Sequence, residues 1–196
     1  MIIGVTGGIA SGKSEVCKIL NKNGFEFIDA DEVAHNILEI PEVIGEITKA
    51  FGNEILSASR EDRSNLFIDR KKLGSIVFAD NEKMCVLEKI THPWICKQIM
   101  SIIYNNKEKN YVIEAIEIVS SGLVNICDQL WVVHAEPDQQ IKRLMENRHM
   151  SYEEACMRLK LQEEHDWDES SADVIIYSDE PIEKMEIQVL KALGKV

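Results

Sequence analysis

Eight residues near the start of the chain, Gly7-Gly8-Ile9-Ala10-Ser11-Gly12-Lys13-Ser14, fit the pattern G-x-x-x-x-G-K-[ST]. This pattern constrains the fold strongly, because it works mechanically only between a strand and a helix. Its glycines let the backbone curl so that successive N–H groups converge on a β-phosphate, and the helix that follows adds the partial positive charge of its N-terminus. Lys13 is then placed to reach the β and γ oxygens, and the Ser14 hydroxyl to ligate Mg²⁺. The flanks agree. Ile2–Thr6 is a short apolar run suited to a buried strand; from Lys13 onward Val16, Ile19 and Leu20 fall on one helical face. A chance match, with the glycines forming only a turn, would not require that context. The motif speaks for binding a nucleoside triphosphate and leaves open what is done with it.

Composition narrows the partners. The 196 residues carry 22 basic and 34 acidic side chains, a net charge of −12. Such a field repels nucleic acid and anionic lipid, so a nucleotide-sized anion must be captured by a local site. No basic leader and no long apolar run is present, which predicts neither export nor membrane spanning. Five scattered cysteines without a Cys-x-x-Cys pair predict free thiols in a reducing, cytoplasmic setting. The five histidines show no His-Glu-x-x-His or Cys/His spacing, which argues against zinc.

Without repeats or Pro/Gly-rich linkers, the chain reads as one continuous fold. Strands are predicted at Ile2–Thr6, Phe25–Ile28, Tyr111–Ala115, Leu130–His134 and Val174–Tyr177. Helices are predicted from Lys13 to a stop at Gly24, over Pro41–Phe51 with a stop at Gly52, and over Arg70–Asp80, Asn81–Thr91 and Pro93–Asn106. Three more follow: Pro137–Asn147, a helix opened by the capping-box sequence Ser151-Tyr152-Glu153-Glu154 and running to about Glu164, and Pro181–Leu193. The stretch from Glu32 to about Asn106 is expected to be mostly helical. Strands separated by helices predict an α/β fold, three layers deep, with about five parallel strands covered on both faces.

Ligands in open α/β sheets bind along the carboxyl edge of the strands. Asp29 and Asp31 follow the second strand at that edge. A carboxylate there can accept a proton from an attacking hydroxyl, or simply cap the helix beginning near Glu32. Position alone does not separate the two. Glu114 ends the third strand of the series and is a candidate to support Mg²⁺; Glu117 nearby reads as a solvated loop charge.

Taken together, these residues resemble the dephospho-CoA kinase family over nearly the whole chain. The resemblance runs through the loop Thr6–Ser14, Ile28-Asp29-Ala30-Asp31 with Ala34-His35, and Arg70-Lys71-Lys72-Leu73-Gly74 with Val77-Phe78. It continues in Leu87-Glu88-Lys89-Ile90-Thr91-His92-Pro93, Ser121-Gly122-Leu123, Arg143-Leu144-Met145, Ser151 with Glu154-Ala155, Arg158 with Gln162, and Ala172-Asp173-Val174-Ile175. Ile-Asp-Ala-Asp together with Thr-His-Pro is far more particular than the phosphate-binding loop (P-loop) alone.

The resemblance implies a P-loop kinase core (about 1–44, 107–142 and 171–196), a helical acceptor-binding insertion (about 45–106) and a lid (about 143–170). It implies ATP and Mg²⁺ as cofactors and dephospho-CoA as the acceptor; the charge and the lack of an apolar run predict no nucleic-acid or membrane partner, and the chain is expected to be a monomer or weak homo-oligomer. The resemblance assigns Asp31 as the base for the acceptor's 3′-hydroxyl, with Lys13 catalytic beside it, and leaves Asp29 structural. Nucleotide binding falls to Gly8, Ile9, Ala10, Ser11, Gly12, Lys13, Ser14 and Glu15, with Arg148 and Arg158 closing from the lid; the metal falls to Ser14 and Glu114. For both lid arginines, exposure on a solvated helix face is the competing reading, and Arg158 could pair with Glu154 one turn earlier. His92-Pro93 could line the acceptor site or make a turn between two helices.

The chain also departs from the family. The proline and terminal glutamate of Asp-x-Pro-Leu-Leu-Phe-Glu are replaced at Ile116 and Ser120. Asp168 stands where a basic residue is common, Ser178 where an asparagine is usual, and the family's second lid arginine falls on Asn147 or, with a one-residue slip, on Arg148. These changes touch adenine contacts and acceptor affinity and spare the P-loop and Asp31. The acidic run Glu163–Glu169 reads as a solvated, mobile lid edge. Rival readings are another small-molecule or nucleoside monophosphate kinase, or a nucleotide switch or binder without catalysis. A guanine-reading Asn-Lys-x-Asp is absent, which weakens the switch.

Overall fold

The apolar run after Met1 becomes β1 (Ile2–Gly7), and six more strands follow in the computed structural model, which describes residues 1–58, 66–162 and 169–195. They are β2 (Phe25–Asp29), β3 (Leu56–Ala58), β4 (Leu66–Ile68), β5 (Asn110–Glu114), β6 (Gln129–His134) and β7 (Val174–Tyr177). The α-helices among the described residues are α1 (Lys13–Lys22), α2 (Ala30–Asn36), α3 (Pro41–Phe51), α4 (Arg70–Val77), α5 (Asn81–Tyr104), α6 (Pro137–Arg148), α7 (Tyr152–Gln162) and α8 (Ile182–Ala192). The chain divides into two units, Met1–Asp29 with Ile103–Val196, and Ala30–Ile102.

The first unit holds a five-stranded sheet in the order β2-β5-β1-β6-β7, every neighbouring pair parallel. This is the parallel α/β architecture expected from the alternating pattern. Successive residues of a strand point to opposite faces, and the two faces are covered differently. Ile3, Val5, Val112, Trp131, Val133 and Ile176 pack against Val16, Cys17, Ile19 and Leu20 of α1 and Met185 and Val189 of α8. Full burial of such aliphatic side chains contributes about 1.5–3 kcal/mol each. On the opposite face Gly4 leaves room for neighbours: a Cβ there would lie 2.5 Å from Ile118 Cδ1 and 2.9 Å from Cys127 Sγ. The loop after β5 therefore presses directly on the central strand.

Helix limits follow local chemistry. α1 ends at Lys22, with Asn23 as its cap and Gly24 beyond it at φ 96°, and α3 ends at Phe51, with Gly52 as its cap at φ 86°, so the two predicted stops are in place. The capping box of α7 is formed: Ser151 N–H donates to Glu154 Oε2 at 2.8 Å, and Glu154 N–H to Ser151 Oγ at 3.2 Å.

The second unit differs from the sequence expectation in two places. Pro93 does not separate two helices but lies inside α5, which runs unbroken for 24 residues. An interior proline loses one ladder hydrogen bond and crowds the carbonyl four residues back, which kinks helices as well as ending them, so its presence alone does not fix a boundary. His92-Pro93 is accordingly not an interhelical turn. In addition, β3 and β4 form a short antiparallel pair within the stretch expected to be mostly helical. Each has three residues, and Leu66 and Phe67 are exposed; so short a run carries no readable alternation. Elsewhere in this unit Val43, Ile47 and Phe51 form the buried stripe of α3, and Asp69 caps α4 by accepting from the N–H groups of Lys71 and Lys72. No helix among the described residues is long and apolar enough to cross a membrane.

Candidate active site

The loop between β1 and α1 has the backbone that a phosphate cradle needs. Ala10 sits at φ 55° and Gly12 at φ 103°, and Gly12 has a second reason to lack a side chain. A Cβ there would lie 3.2 Å from Ser178 Cβ and 3.3 Å from Ser178 Oγ. Within the loop Ser11 N–H donates to Gly8 O at 3.1 Å, and Gly12 O accepts from the N–H groups of Glu15 and Val16 to start α1. Lys13 is 8% exposed, and its ammonium donates to Gly7 O at 2.8 Å and Gly8 O at 2.9 Å. It is thus held across the mouth of its own loop.

Ser14 lies one residue into α1 and its hydroxyl donates to Glu114 Oε1 at 3.0 Å. Glu114 ends β5, the strand paired with β1, so sheet order joins residues a hundred positions apart. Cys17, one turn further along α1, is buried, and its thiol is pushed well above the usual range by that burial and by the Glu114 carboxylate beside it. Glu15 pairs instead with Lys18 on the helix surface at 2.6 Å.

A second set of side chains grips the outside of the loop. Gln140 Nε2 donates to Ile9 O at 2.8 Å. Arg143 Nη1 donates to Ala10 O at 3.0 Å, Ser11 O at 3.1 Å and Ser178 Oγ at 2.9 Å, while Nη2 donates to Ser178 O. The fully buried Ser178 hydroxyl donates in turn to Ser11 O. Gln140 and Arg143 stand one turn apart on α6, and Ser178 follows β7. At the end of β6, His134 Nδ1 meets Glu169 Oε1 at 2.6 Å and Nε2 lies 3.6 Å from Glu136. Burial lowers the imidazole's pKa, but the hydrogen bonds and charges of these two carboxylates outweigh it and raise the value overall.

The remaining expected site residues are placed as follows. Asp29 is the last residue of β2. Asp31 is the second residue of α2, inside the helix rather than at the position that caps it. Arg148 ends α6 and Arg158 lies on α7; both are exposed, and among the described residues neither makes an ion pair. The Glu154 carboxylate that could have paired with Arg158 serves the cap instead. Residues 163–168, Asp168 among them, lie outside the described residues; Glu169, the last of that acidic run, is not merely solvated but is held against His134.

A P-loop alone is compatible with many kinases, but the whole chain is more specific. The family model described as "Dephospho-CoA kinase" matches residues 1–184. The chain belongs to the dephospho-CoA kinase family. A curated dephospho-CoA kinase of Carboxydothermus hydrogenoformans is 37% identical over 198 residues, covering 99% of this chain and 93% of the relative. Among solved structures, the dephospho-CoA kinase of Campylobacter jejuni aligns at a TM-score of 0.68 with 31% identity, over 99% of this chain and 96% of its own. A Thermus thermophilus protein aligns at 0.78 with 25% identity, over 99% and 96%. Members of the dephospho-CoA kinase family are kinases that take phosphate from ATP.

The structure brings Ser14 and Glu114 together beside the loop, whereas the grip of Gln140, Arg143 and Ser178 on the loop was not expected from the sequence. Arg143 was legible only as part of the family resemblance. Ser178 stood out only as a departure, because nothing local reveals which carbonyls a side chain will meet.

Proposed function

We propose that the chain is a dephospho-CoA kinase that transfers the γ-phosphoryl group of ATP to the ribose 3′-hydroxyl of dephospho-CoA, yielding coenzyme A and ADP. One observation carries the reading. In a chain of this family, the P-loop is built with Lys13 drawn across its mouth and Ser14 turned to Glu114.

In this reading Gly8, Ile9, Ala10, Ser11, Gly12, Lys13, Ser14 and Glu15 form the nucleotide cradle. The backbone N–H groups and the Lys13 ammonium offset charge that builds on the β and γ oxygens as the bridging P–O bond breaks. The Asp31 carboxylate takes the proton from the 3′-hydroxyl while its oxygen forms the new bond to phosphorus and ADP leaves. Arg148 and Arg158 close from the lid, about residues 143–170, and exclude water as a competing acceptor. The acceptor is held by the segment of about residues 45–106.

Ser14 Oγ and Glu114 Oε1 are hard oxygen donors at hydrogen-bonding distance, a set that fits Mg²⁺, which binds through few protein ligands and keeps its waters. Bound there, Mg²⁺ would neutralise phosphate charge and align the donor. The five free cysteines support a reducing, cytoplasmic setting.

The test is a coupled ADP-release assay with ATP, Mg²⁺ and separate acceptors. Turnover with dephospho-CoA and none with AMP, UMP or shikimate is expected; the reverse order would reject the assignment.

A further inference from the structure

We propose that Gln140, Arg143 and Ser178 are positioning residues that set the P-loop for nucleotide by pinning its carbonyls from outside; the proposal rests on the loop being the nucleotide site. The bonds to Ile9 O, Ala10 O and Ser11 O cover three consecutive peptide units. In a trans peptide the carbonyl and the following N–H point in opposite directions. Holding these three oxygens outward therefore turns the N–H groups of Ala10, Ser11 and Gly12 to the other side of the loop. The Ser11 N–H bonds Gly8 O within the loop, so the donors aimed by the clip are those of Ala10 and Gly12. A P-loop without such support must order these donors when phosphate arrives, and that ordering subtracts from affinity.

The three residues act as a unit. Arg143 donates to Ser178 Oγ, and Ser178 Oγ donates to Ser11 O, so each bond polarises the next. The planar fork of Arg143 reaches two loop carbonyls and both oxygens of Ser178 at once, which a lysine ammonium cannot reproduce. Among the described residues Arg143 makes no ion pair, so its charge adds to the field behind the loop in a chain of net charge −12. Ser178 is fully buried against this network and fits the tight approach of Gly12.

The experiment compares the wild type with Ser178→Ala and Arg143→Lys, measuring MgADP affinity by calorimetry, both KM values and the melting temperature. Ser178→Ala removes two bonds of the network and hardly changes volume. Each variant is expected to raise the MgADP Kd and the KM for ATP about tenfold, with the KM for acceptor unchanged. The double variant is expected to be much less than additive. Normal MgADP affinity in Ser178→Ala overturns the clip, including the case in which Arg143→Lys alone loses affinity, since Arg143 would then touch the nucleotide directly. A fall in melting temperature with unaltered Kd and KM also overturns it. If the wild type itself binds no MgADP, the nucleotide site falls and the clip with it.

Discussion

Ser14 Oγ donates to Glu114 Oε1 at 3.0 Å, linking the first turn of the helix after the P-loop to the end of the neighbouring strand. The contact sets a hydroxyl and a carboxylate side by side, the pair of oxygen donors proposed above for Mg²⁺.

Glu114→Gln keeps the hydrogen bond to Ser14 available and removes the charge. The Mg²⁺ concentration for half-maximal activity is expected to rise about 10–100-fold, the range found when groups supporting a metal are altered. A Mg²⁺ titration at saturating ATP reads this directly, and an unchanged midpoint would remove Glu114 from the metal's surroundings.

Asp31→Asn tests the proposed proton acceptor. Turnover is expected to fall about 10²–10⁴-fold, with MgADP affinity within a factor of two of wild type. Steady-state kinetics paired with calorimetry separates a lost base from a damaged nucleotide site. Wild-type turnover in the variant would eliminate the role.

His134 predicts a pH dependence of stability. Its folded-state pKa is raised above the usual value near 6.5 by Glu169 and Glu136, after burial has acted in the opposite sense. The contribution is therefore fully present below the unfolded pKa and is lost as pH rises through the folded value. Glu169→Gln should lower the melting temperature at pH 5.5–6 and have little effect at pH 9. Because Glu169 is 38% exposed, solvent screening keeps the effect small. A melting-temperature difference that does not shrink with rising pH would contradict this account.

Gly4→Ala places a methyl group 2.5 Å from Ile118 Cδ1 and 2.9 Å from Cys127 Sγ. Side-chain shifts can relieve part of the clash, so a loss of about 1–3 kcal/mol is expected. Urea unfolding measures it; a neutral result would show the loop after β5 packs less closely on β1.

Local patterns in the chain were enough to place the P-loop, the five sheet strands, the capping box of α7 and the stops at Gly24 and Gly52. Each depends on residues a few positions apart, whose spacing shows directly in the sequence. Tertiary structure decided what lies across the sheet. It brought Glu114 to Ser14 and Gln140, Arg143 and Ser178 to the loop's carbonyls, carried α5 through Pro93, and formed the β3–β4 pair from three-residue strands. The physical reason is that such contacts depend on strand order and on burial by distant neighbours. A side chain's type and spacing do not specify which carbonyl, carboxylate or apolar surface the folded chain will bring against it.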